Sequence, residues 1–94
     1  MFFITLRFAD KTRAPQFMDG HNAWLRQGFD DGVFLVAGSL LPGAGGAILA
    51  HNASADEIET RVQADPFVAE GVVSAEIVAI APGRTDERLA FLKA

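Results

Sequence analysis

Apolar residues alternate from the second position of the chain. Phe2, Ile4, Leu6 and Phe8 fall on one side of an extended segment, with Phe3, Thr5 and Arg7 on the other, which is the two-residue period of a β-strand. Phe3 leaves the second face half apolar, as suits either a partly exposed residue or a surface covered by a partner subunit. After the polar connection Ala9–Ala14 the period lengthens. Phe17, Met18, Trp24, Leu25 and Phe29 then share one helical face, opposite Asp19, Asn22, Arg26 and Asp30. Pro15 suits the first turn of this helix, and Thr12 is the better capping residue by type. The helix is expected to run to Phe29 or Asp30, with Asp31-Gly32 as its stop. Gly28 lies on the apolar stripe, where its missing side chain allows close approach to a sheet.

Val33–Leu40 reads as a buried strand, Leu41–Gly45 as a Pro/Gly loop and Gly46–His51 as a third strand. Ser54, with Glu57 three residues on, matches a capping box ahead of a helix over Ala55–Ala64, whose inner face carries Ile58 and Val62. Asp65-Pro66 interrupts that helix and can start a short new turn, with Asp65 as its N-cap. Val72–Ile80 alternates again as a fourth strand, and Pro82-Gly83 ends it. The order is βαββαβ. Its short connections predict an α+β domain over 1–82, a four-stranded antiparallel sheet with both helices on one face. The tail over 83–94 carries Leu89, Phe91 and Leu92, and is expected to rest on the domain or on a second copy. Covering the other sheet face with a second subunit predicts a homodimer.

Composition narrows the function classes. The 94 residues are 50% hydrophobic with eight Phe, too apolar for a disordered chain, yet no uninterrupted apolar run is long enough for a membrane span. Arg7 within the first apolar run and the absence of a basic leader argue against a signal peptide, so a cytoplasmic location is the expectation. Cysteine is absent, which removes disulfides and thiol chemistry. A net charge of −4 with only 8 Lys and Arg gives no basic field for a nucleic-acid backbone.

Two histidines are candidates for chemistry. His51 ends a strand and reads as a loop residue. His21 falls near the middle of the apolar stripe, where a polar ring needs a hydrogen-bonding partner, structural or functional. Asp65 follows the second helix where that helix runs back beside the first, and can meet His21, cap the next turn, or do both. A carboxylate on one imidazole nitrogen fixes the tautomer and makes the other nitrogen a better base. Arg7 is a candidate anion binder if its side of the strand lines a cavity, and otherwise a surface arginine. Gly38 and Ser39 can leave room for a ligand, with Ser39 offering a hydroxyl, or simply accommodate close packing. Ser39 lacks the setting of a nucleophile elbow. Two distant histidines without Cys make a poor metal set, and PGAGG lacks the lysine of a phosphate loop. No metal or cofactor is therefore expected.

Taken in order, FFITLRF, HNAWLRQGFDDG leading into VFLVAGSL, GGAILAH and ADPFVAEGV resemble the YCII-related domain family, small proteins of the dimeric α+β-barrel, ferredoxin-like group. The resemblance covers Met1–Pro82. It implies a homodimer, a pocket near Gly38-Ser39, and a catalytic pair at His21 and Asp65. Many members have proline directly after the glycine, where this chain has Ser39. One member is a dehydrochlorinase of a chlorinated hydroquinone, so a lyase or isomerase using His-Asp acid/base chemistry on a small, cyclic, oxygenated substrate is the leading expectation. A non-catalytic small-molecule-binding or accessory homodimer is the alternative.

Overall fold

The computed structural model describes residues 1–93. Its elements follow the chain as β1 (Phe2–Phe8), α1 (Ala14–Asp30), β2 (Phe34–Leu40), β3 (Gly45–Ala50), α2 (Ala55–Gln63), α3 (Pro66–Ala69) and β4 (Val73–Ala79), with 3-10 segments at Lys11–Arg13 and Glu87–Lys93. The strands form one sheet in the order β2-β3-β1-β4, with every neighbouring pair antiparallel. This is the expected ferredoxin-like arrangement. No helix among the described residues is long and apolar enough to cross a membrane.

Register decides which side chains meet the helices. Ile4 stands between Ile48 on β3 and Ile77 on β4, and Ile48 faces Ala37 on β2. This row and Phe2, Leu6 and Phe34 form the helix side of the sheet, against Ile58, Val62 and Phe67. The opposite side carries Val36, Leu49, Phe3 and Val78 in a row across all four strands. Phe3, Val36 and Val78 on that row are 45%, 59% and 44% exposed. Arg7 pairs with Gly45 and Ser74 on this same outer face. It stands away from the helices.

Local signals account for the helix ends. Ser54 and Glu57 form the reciprocal capping box at the start of α2, and the bonds from the Ser54 backbone and hydroxyl hold the Glu57 carboxyl below its ordinary value. At α1 the start that the sequence left open is the one marked by Pro15, and Thr12 is not the cap. The Thr12 hydroxyl donates to Asp10 Oδ1 at 2.6 Å, the N-cap is Arg13 without a side-chain bond, and Pro15 occupies the first turn. A 3-10 turn leading directly into the helix leaves Thr12 outside the capping position.

Gly28 is buried on α1 directly against the Phe34 ring, so a Cβ there would overlap it. That ring is also met edge-on by Trp24 and Phe29, which restrict its movement. The helix-propensity gain of Gly28→Ala, about 1 kcal/mol, is therefore outweighed by overpacking, of about 1–3 kcal/mol. Urea unfolding of Gly28→Ala should show a lowered midpoint despite the better helix former. A raised midpoint would mean that Phe34 has room to move.

Candidate active site

Among the described residues Asp65 is the one buried polar side chain, at 0% exposure. Its local role is that of an N-cap: Oδ1 accepts from the Phe67 backbone N–H at 3.0 Å, while Pro66 fills the first position of α3. The same oxygen meets His21 Nδ1 at 2.9 Å. A carboxylate at that distance is the acceptor, which places the proton on Nδ1 and leaves Nε2 as the nitrogen free for a ligand. Oδ2 is buried without a partner among the described residues, so both bonds converge on one atom.

The His21 ring is held on its faces as well as at its edge. Phe67 stacks on it with centroids 4.0 Å apart and planes at 6°, and Trp24 stacks at 5.9 Å and 28°. Trp24 is itself tethered, its Nε1 donating to the Arg61 carbonyl at 2.9 Å. Arg61 in turn pairs with Asp31 at the end of α1. The Gln27 amide, then Arg61, hold the Asp31 carboxyl below its ordinary value. Gly20 lets α1 settle over α3, since a Cβ there would lie 3.1 Å from Pro66 Cγ. His21 thus has one free edge, and its side chain is 13% exposed.

A cavity of about 300 Å³ lies beside this histidine. Met18, His21, Asn22 and Leu25 on α1 form one wall, and Leu6, Ala37, Ser39, Gly46 and Ile48 on the sheet form the other. Phe8, Phe67 and Val73 also line it. Space exists because Ala37, Ser39 and Gly46 are small where larger side chains would fill the gap beneath α1. Gly38 and Ser39 both line the cavity. Arg7 does not: it lies on the outer sheet face, so its place as a pocket residue is corrected by the register. Asp65 is likewise absent from the lining and stands behind His21. His51 is remote from this group and meets the Phe91 ring edge-on at 5.5 Å.

Asn22 is a lining residue that the helical projection assigned to the polar side. The ridge Met18–Asn22–Leu25, spaced by four and three along the chain, carried the signal. Among the described residues no group of three or more His, Cys, Asp or Glu is placed to hold a metal ion.

The YCII-related domain family matches residues 1–81. The chain belongs to that family. No curated protein matches the sequence. Among solved structures the chain is similar to 5-chloro-2-hydroxyhydroquinone dehydrochlorinase (TftG) from Burkholderia phenoliruptrix AC1100, in complex with 2,5-dihydroxybenzoquinone. The TM-score is 0.65 at 20% identity, covering 88% of this chain and 96% of that one. At that identity the likeness carries the fold.

The two roles of Asp65 can be separated by substitution. Asp65→Asn retains an oxygen for the Phe67 N–H but loses the charge that faces His21; Asp65→Ala loses both. Loss of the cap costs about 1 kcal/mol, and an unpaired buried donor adds about 1–3 kcal/mol. Thermal unfolding should therefore rank wild type above Asp65→Asn and Asp65→Ala lowest. Equal stability of all three would remove Asp65 Oδ1 as the anchor of this corner.

Proposed function

We propose that this protein is a small-molecule enzyme of the lyase or isomerase type, in which His21 moves a proton under the control of Asp65. The observation that carries this reading is the 2.9 Å contact from His21 Nδ1 to a carboxylate buried behind the ring, with the rest of the ring on a cavity. Nε2 takes a proton from a carbon or hydroxyl of the bound molecule, and the imidazolium that forms is stabilised by Asp65. In an elimination, the electrons of the broken C–H bond form a new double bond while the leaving group departs with its own pair. In an isomerisation the same nitrogen returns the proton at a second carbon. The largely apolar lining suits a small ring, the class of molecule named for the dehydrochlorinase of similar fold.

Chloride release from 5-chloro-2-hydroxyhydroquinone, and deuterium uptake from solvent into 2,5-dihydroxybenzoquinone, test the two reaction types. His21→Asn should lower either rate by about 100-fold or more, in keeping with the worth of a positioned acid/base, while leaving the fold intact. Tight binding of either compound with neither reaction would favour a non-catalytic binding protein.

The functional unit of this proposal is a homodimer joined through the outer sheet face. The row of Val36, Leu49, Phe3 and Val78, continuous across four strands and largely exposed, is the surface such an interface would cover. A stable dimer buries about 800 Å² on each partner. Light scattering should give the mass of two chains at micromolar concentration, and Phe3→Asp, on the inner strand β1 of that row, should shift it towards one. A wild-type mass of one chain would defeat this part of the proposal.

A further inference from the structure

The cavity beside His21 has a sparse and specific polar complement. Among the described residues its only hydrogen-bonding side chains besides His21 are Asn22 on α1 and Ser39 on β2, and no Asp, Glu, Lys or Arg lines it. Ser39 pairs with Gly46, which also stands opposite Leu6, so the serine belongs to the sheet face turned towards α1. Asn22 and Ser39 therefore come to the cavity from opposite walls. Both are exposed, and neither side chain takes part in a hydrogen bond among the described residues, in contrast to the engaged side chains of Trp24, Gln27 and Thr12.

We infer that Asn22 and Ser39 form a second polar anchor of this pocket, taking a neutral hydroxyl or carbonyl oxygen on a ring whose reacting end lies at His21. The inference rests on the reading of His21 as the reacting group. An amide and a hydroxyl can each donate and accept, so the pair accommodates either kind of oxygen. With no Lys or Arg in the lining, a phosphate or a carboxylate at this end would surrender its hydration without compensation. Because the two side chains stand at the water-exposed part of the cavity, the selectivity they confer is that of a net hydrogen bond, about fivefold to tenfold in affinity.

A ligand series reads this directly. Phenol, resorcinol and hydroquinone are titrated into the full chain, with binding followed through the imidazole C–H resonances of His21. Resorcinol or hydroquinone should bind about fivefold to tenfold more tightly than phenol. In the Asn22→Ala/Ser39→Ala variant that advantage should fall to within twofold. Both positions are exposed, and an unchanged melting temperature confirms that the variant keeps its fold. An advantage that persists in the variant, or is missing from the wild type while phenol still binds at His21, overturns the anchor and leaves the His21 reading standing. Failure of every probe to perturb His21 overturns both.

Discussion

One oxygen atom ties the fold of this protein to its candidate chemistry. Asp65 Oδ1 accepts from the Phe67 backbone and from His21, so the turn that starts α3 and the orientation of the imidazole are set by a single acceptor. A buried carboxylate is costly unless its bonds are made, and both available donors are therefore drawn to it. Phe67 takes part twice, since its N–H fixes the carboxylate and its ring lies flat on the histidine. Any movement of α3 relative to α1 would break the edge contact and the face contact together.

The sheet and its helices make that corner rigid. α1 is seated by the absence of a side chain at Gly28 against Phe34, and α3 approaches it at Gly20 against Pro66. Trp24 ties α1 to the end of α2 through the Arg61 carbonyl, and Arg13 reaches the Glu70 carbonyl just beyond α3. These contacts join segments distant in the chain around the histidine. The apolar core beneath, from Ile4 and Ile48 to Ile58 and Val62, holds the elements from which they project.

Much of this was legible in the sequence because it depends on short-range rules. The two-residue alternation at Phe2–Phe8, the Ser54 and Glu57 box and the Asp65-Pro66 turn are each encoded within a few residues, and each appears where its pattern predicts. His21 was conspicuous because a polar ring on an apolar face requires a partner. What could not be read locally was the side on which the cavity lies. Alternation puts Leu6 and Arg7 on opposite faces, but only the packing of the helices over Leu6 shows that the cavity lies on its side. Asn22 is exposed, as its place on the polar side predicts, but a helical projection divides residues into two sides and does not show that the cavity reaches past the edge of the apolar stripe. Thr12 was displaced from capping by a 3-10 turn that no propensity at Lys11–Arg13 announced.

The cavity walls have a different kind of origin from the dyad. His21 and Asp65 sit on α1 and at the start of α3, whereas the room beside them is left by Ala37, Ser39 and Gly46 on the β2–β3 hairpin. Gly45 is barred from change, since its φ of 138° and the Leu6 carbonyl leave no place for a side chain. Ala37 and Ser39 are under no such restriction. Substitution at those two positions can reshape what the protein accepts without touching the atoms that hold the histidine. A lineage built on this scaffold could therefore reshape the cavity by changes on a single hairpin, keeping the contact between His21 and Asp65 as an inheritance.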